Sequence, residues 1–322
     1  MQRASAKWGY LLVAVVIATA CADGPRTSPR VTSHERSGMW PPGSPGVAPA
    51  SDFSDDGLLH YSNDKAMKHI RALANDIGPR VRAKSGEWKA SKYIREQFEK
   101  YGYKTRVQRF SVDGDTSRNV VAWWPGAIKH GMVVGAHMDT VRRSPGANDN
   151  ASGVAVMLEM ARISAGKQPT RFVRFVAFGA EEYGTNGQHH NGSQVYVNRL
   201  GKEGRKRLGG MASIDMIANG RPLIAGTMGL GPRVTARTVY NKMKQRVGMS
   251  YKTVCDCSDN GPFERAGIPG VFLWSGFDDH YHSPSDKTRN LKPKHVARTG
   301  RGFRYFLERV DLDMIRRFRK AR

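Results

Sequence analysis

Four times in this chain an apolar run leads within three residues to acids or histidines. Residues 132–136 are short, apolar and β-branched, and His137-Met138-Asp139 follows them. Residues 172–178 lead to Gly179-Ala180-Glu181-Glu182, and residues 211–214 lead to Asp215. Residues 270–275 lead to Asp278-Asp279-His280-Tyr281-His282-Ser283-Pro284-Ser285-Asp286. A further acid, Asp149, precedes a stretch with Val154, Met157, Leu158 and Ala161 at helical spacing. His137 and Asp139 share a face of an extended end, so Asp139 can brace the imidazole, and a carboxylate on the second ring nitrogen fixes the tautomer a metal needs. Asp149 reads either as a helix cap or as a bridge between ions. Glu181 and Glu182 cannot both be cheaply buried without cations. Either they form a solvated loop, or one binds metal while the other acts as a base. His280 and His282 point to opposite sides of an extended loop, which leaves one of them as a ligand.

Singly these signals are weak; together they supply two histidines, three ligating carboxylates and a spare glutamate. That is too many donors for one zinc and about right for two that share a carboxylate. Mixed histidine and carboxylate shells suit hydrolytic rather than structural zinc.

The elements around these residues follow from periodicity. Strand, helix and strand across residues 131–178 form the crossover unit of a parallel sheet. Open sheets of that kind place their chemistry beyond the carboxyl ends of the strands. Upstream, Ser62-Asn63-Asp64 can cap a helix running to about Asn75, with Gly78 as its stop. Ser85 opens a second helix with Ala90, Tyr93, Ile94 and Phe98 on one face. Residues 103–112 and 119–123 alternate as strands. Phe303, Phe306, Leu307, Val310 and Leu312 predict one helix packed on the sheet. The fold class expected is α/β, three layers (α/β/α) around a mixed, mainly parallel twisted sheet.

Composition sets the outer limits. A chain of 322 residues with net charge +24 can hold one large domain, here expected at 57–322. Such charge suits nucleic acid, an anionic envelope or a solvated face. No aromatic or glycine-rich recognition motif accompanies it, so a specific nucleic-acid partner is not expected. Three cysteines are too few for a disulfide framework. Residues 1–21 read as an export signal, with Arg3 and Lys7 before an apolar segment too short to span a bilayer comfortably. Ile17-Ala18-Thr19-Ala20-Cys21 resembles a lipoprotein box. Two readings of Cys21 stand: a lipidated, membrane-anchored protein of the cell envelope helped by basic surface, or a soluble secreted one. Residues 22–56 carry six prolines and no hydrophobic period, and are expected to be a disordered linker.

The motifs GAHMDTV, GANDNASG, FGAEEYG, SIDMI, SDNGPF and YHSPSD occur in an order that resembles the di-zinc exopeptidases of metallopeptidase clan MH, the group of aminopeptidase Y and the bacterial leucyl aminopeptidases. The resemblance covers residues 58–312. It implies the zinc exopeptidase fold and two Zn2+: His137, Asp149 and Asp215 around one, and Asp149, Glu182 and His282 around the other. It implies Glu181 as general base, Asp139 behind His137, and Tyr281 steadying the oxyanion. The activity implied is removal of the N-terminal residue from peptides with a free amino group. Alternatives within the clan are a glutaminyl cyclase or a carboxypeptidase-like reaction, and outside it a non-catalytic binding scaffold. The chain departs from the family after Glu182, where Tyr-Gly-Thr-Asn-Gly-Gln-His-His-Asn makes the link longer; His189 and His190 there either reach the site mouth or, the reading preferred, are solvated. Cys255-Asp256-Cys257 lies where some relatives carry a disulfide, and pairing is left open.

Overall fold

Residues 60–185, 187–220 and 222–322 are described in a computed structural model. The expected export signal and linker lie outside the described residues. The first helix of the described residues is α1 (Asn63–Arg71), whose N-cap Ser62 accepts from the Lys65 amide. A wider helical turn, Ala72–Ile77, prolongs it to Gly78, whose φ of 78° ends the helix. The next helix, α2 (Ser85–Lys100), buries Ala90, Ile94 and Phe98, the face its periodicity predicts.

Eight strands then build one sheet. A hairpin of β1 (Lys104–Val112) and β2 (Asp115–Trp123) pairs antiparallel. The centre is β3 (Met132–His137), β4 (Val173–Phe178), β5 (Gly210–Ile214) and β8 (Gly270–Trp274). These four run parallel in the order β4-β3-β5-β8. The far side holds β6 (Leu223–Thr227), antiparallel to β8, and the edge strand β7 (Met249–Thr253).

Residues of β3 alternate between two cores. Met132, Val134 and Ala136 face one side, with residues of α1, α2, α3 (Gly153–Ser164), α6 (Val234–Met243) and α8 (Pro293–Leu307). Val133 faces the other, beneath α4 (Asn191–Arg199) and α7 (Asn260–Arg265). Both faces of the central strands are therefore covered, which makes their sequences continuous apolar runs. The α/β/α sandwich and mixed, mainly parallel sheet agree with the sequence reading.

Three features differ from expectation. β2 starts at Asp115, because the Asp113-Gly114 turn lets it pair along its whole length with β1. The C-terminal apolar stretch forms two helices, α8 and α9 (Leu312–Lys320), because Asp311 caps the second by accepting from the Met314 amide at 2.7 Å. Finally, β6, β7, α4, α5 (Gly201–Arg207), α6 and α7 had no sequence expectation. No helix among the described residues is long and apolar enough to cross a membrane.

Candidate active site

All the predicted donors meet at the carboxyl ends of the parallel strands. His137 closes β3, Glu181 and Glu182 follow β4, Asp215 follows β5, and His282 follows β8. Asp149 comes from the turn before α3. His137 Nε2 lies 3.2 Å from Asp149 Oδ1 and 3.3 Å from Asp215 Oδ1. His282 Nε2 lies 3.2 Å from Asp149 Oδ2 and 2.9 Å from Glu182 Oε2. The two oxygens of Asp149 are thus divided between the two histidines. Glu181 Oε2 is 3.9 Å from His137 Nε2.

These separations fit metal. Donors about 2.0–2.1 Å from one tetrahedral zinc stand roughly 3.3 Å from each other. Wider triplets, His137 with Glu181 and Asp215, and His137 with Asp149 and Glu182, also lie within 4.8 Å. The shorter contacts favour His137, Asp149 and Asp215 as one set and Asp149, Glu182 and His282 as the other. Among the described residues, Glu182 Oε1 and Asp215 Oδ1 are buried without a hydrogen-bond partner, the condition of oxygens left for a cation.

Electrostatics point the same way. Burial pulls the His137 imidazole down, yet the Asp215 and Glu181 carboxylates hold it well above its ordinary value. Burial likewise opposes charge on His282, but Asp149 and Glu182 push it up to about 10. Burial and the neighbouring Asp149 push Glu182 up to about 8. Five carboxylates, Asp139, Asp149, Glu181, Glu182 and Asp215, crowd three imidazoles, His137, His190 and His282, a set whose buried charge a bound cation would ease.

The supports are backbone devices. The Asp139 carboxylate accepts from the amides of Glu181 at 3.0 Å and Glu182 at 3.1 Å. The same carboxylate stands behind the imidazole, 3.7 Å from His137 Nδ1, while the Asp139 carbonyl is 3.2 Å from that nitrogen. The carboxylate thus joins the imidazole to the loop after β4. Asp286 accepts from the Asn148 amide at 2.7 Å and the Asp149 amide at 3.0 Å. The Asp149–Asn150 peptide is cis, and Asn150 Nδ2 donates to the Ile214 carbonyl at 2.9 Å, tying the turn to β5. Ser258 Oγ donates to Asp215 Oδ2 at 2.9 Å. The buried Arg80 guanidinium gathers the carbonyls of Met138, Pro145 and Gly146 at 2.7–2.8 Å.

Tyr281 lies at the rim, 37% exposed, with its ring stacked on His282 at 3.7 Å. His280 turns away, its Nδ1 bonded to Ser285 Oγ at 2.9 Å. Cys255 and Cys257 are joined in a disulfide. His189 is half-buried, stacked on Tyr183.

His190 overturns the expectation of a solvated residue. It is 1% exposed, and its Nε2 lies 3.0 Å from Glu181 Oε1. Sequence reasoning offered it the site mouth but preferred the solvated reading, because a histidine in a polar, glycine-rich loop carries no periodicity. Asp286 was missed as well, although it ends a motif already singled out.

The sequence profile of Peptidase family M28 matches residues 119–307. The chain is 30% identical over 258 residues to leupeptin-inactivating enzyme 1 of Streptomyces exfoliatus, covering 72% of this chain and 57% of the relative. It is 34% identical over 203 residues to aminopeptidase YwaD of Bacillus subtilis, covering 58% and 43%. It is 32% identical over 232 residues to the probable lipoprotein aminopeptidase LpqL of Mycobacterium tuberculosis, covering 59% and 44%. The chain spans about half the length of the curated relatives it matches. Among solved structures, BSAP, a zinc aminopeptidase from Bacillus subtilis, superposes with a TM-score of 0.71 at 20% identity, covering 77% of this chain and 95% of that one.

Proposed function

The chain belongs to peptidase family M28, and from that premise we propose that it is a zinc-dependent aminopeptidase. The observation that carries the reading is the division of Asp149 between His137 and His282 at 3.2 Å each. In this reading His137, Asp149 and Asp215 hold one ion, and Asp149, Glu182 and His282 hold a second. When bound, such a pair acidifies water and polarises a carbonyl.

The remaining steps belong to the chain. Glu181 Oε2, the oxygen facing the cluster, takes a proton from the attacking water as its oxygen bonds the scissile carbonyl carbon. The same oxygen then passes that proton to the leaving amine as the C–N bond breaks. Products are a free amino acid and a peptide one residue shorter. Tyr281, at the rim, steadies the negative oxygen of the tetrahedral intermediate. The substrate's cationic α-amino group is drawn to the excess of carboxylates, which selects the free N-terminus.

We assign the chain to the cell envelope or the outside of the cell, exported by residues 1–21, with Cys21 either lipid-anchored or lost. The Cys255–Cys257 disulfide is consistent with an oxidising compartment, and one relative, LpqL, is named a probable lipoprotein aminopeptidase.

The test is hydrolysis of aminoacyl reporter substrates, with and without a chelator and with zinc restored. Cleavage of free but not amino-blocked peptides is expected, abolished by chelation. Cyclisation of N-terminal glutamine without peptide cleavage, or release from the carboxyl end, would replace this reading. Glu181→Gln should lower kcat by about 10²–10⁴ while bound zinc stays at two per chain. Wild-type turnover in that variant would remove Glu181 from the base role.

A further inference from the structure

Behind Glu181 runs a line of groups that the proposed chemistry does not use. Glu181 Oε1 is 3.0 Å from His190 Nε2, and His190 Nδ1 is 3.4 Å from Asp256 Oδ1, a charge contact rather than an aligned hydrogen bond. Asp256 also pairs with Arg265 and sits between the bonded Cys255 and Cys257. The chain spends backbone on this arrangement. His190 adopts the left-handed conformation, with φ 55°, which L-residues rarely occupy. Its amide donates to the Glu181 carbonyl at 2.8 Å, and the Asn191 amide donates to the Ala180 carbonyl at 2.9 Å. Arg82 pins the far end of the same loop through the carbonyls of Glu182 at 2.6 Å and Gln188 at 2.7 Å. The longer link after Glu182 therefore folds back to press one imidazole against Glu181.

We propose that His190 is a positioning residue for Glu181, tying Oε1 so that Oε2 is presented to the donors, with Asp256 steadying the imidazole from behind. A carboxylate with both oxygens free can rotate about its last torsion, which is broad and roughly two-fold. Binding one oxygen removes that freedom, and near-attack geometry is sensitive to such freedom. The ordering follows nucleophile–base–orienter logic, with an orienting group behind an imidazole, moved here to the back of a carboxylate. The other groups facing His190 are His189, with ring centroids 3.9 Å apart, and the buried Asp259. This inference rests on the base role proposed for Glu181.

The experiment compares His190→Leu, His190→Gln and Asp256→Asn in the zinc-loaded enzyme, each also in a Glu181→Gln background. Zinc content and thermal midpoint are measured alongside kcat and KM. His190→Leu should lower kcat about 10- to 100-fold, within the range lost when an oriented group is loosened, with KM and zinc content within about twofold. His190→Gln, which keeps an N–H toward Oε1, should recover most of that loss. In the Glu181→Gln background His190→Leu should cost nothing further, because its effect passes through Glu181. A kcat for His190→Leu within twofold of wild type overturns the proposal, as does an unchanged loss in the Glu181→Gln background. If Glu181→Gln itself keeps full activity, the base reading fails instead, and the two failures are distinguishable. Should His190→Leu not fold, Asp256→Asn decides: it should lower kcat alone, and should cost nothing further in the Glu181→Gln background. No loss there overturns the proposal.

Discussion

Asp286 holds the turn that carries Asp149 by two buried backbone amides. Burial pushes its carboxyl up to about 7 against the pull of those amides, with Asp149 and Asp278 adding to the rise. Asp286→Ala leaves both amides without an acceptor, each costing about 1–3 kcal/mol when buried. Zinc affinity should fall about 10- to 100-fold, as for other groups that orient a ligand. Competition with a chromophoric chelator measures this; unchanged affinity would show that the turn is held by something else. At this scale His137, Glu181, Glu182 and Asp215 were legible because they close apolar strands or follow them within a few residues, whereas Asp149 and His282 were placed by the motifs around them. His190 and Asp286 were not, since a residue that acts through a neighbour leaves no mark of type or spacing.

Among the elements, α3 must start close against the end of β5. Gly153 makes that approach: a β-carbon there would stand 2.0 Å from the Ile214 carbonyl oxygen and 2.4 Å from Asn150 Oδ1. Gly153→Ala should therefore destabilise the fold by about 1–3 kcal/mol, the usual cost of overpacking, and weaken zinc binding with it, since Asp149 and Asp215 sit on the parts pushed asunder. Urea unfolding and metal titration on one preparation would read both; a stable variant with intact zinc affinity contradicts the packing argument. The crossover β3–α3–β4 was readable because its strands are buried on both faces and its helix has period. β7 was not: its burial is only partial, it lies at the sheet edge, and Ser250 and Lys252 break its apolar run. Nor was α5, whose sequence GKEGRKR buries Gly204 and no large side chain.

For the whole molecule, the donor set ties together the loops after β3, β4, β5 and β8 and the start of α3. A ligand that binds only the folded state stabilises it by mass action, by about 2.7 kcal/mol at a hundred times its Kd. Exhaustive dialysis against a chelator should lower the thermal midpoint, and stoichiometric zinc should restore it. A midpoint indifferent to zinc would mean that these loops do not share an ion. The same chain order reaches further. The first donor is His137 and the last is His282, with the parallel strands in between added from three separate stretches of sequence. A polypeptide grown from its amino end therefore holds His137, Asp149, Glu182 and Asp215 before it holds His282. The cage proposed above closes only after residue 282 has joined the chain.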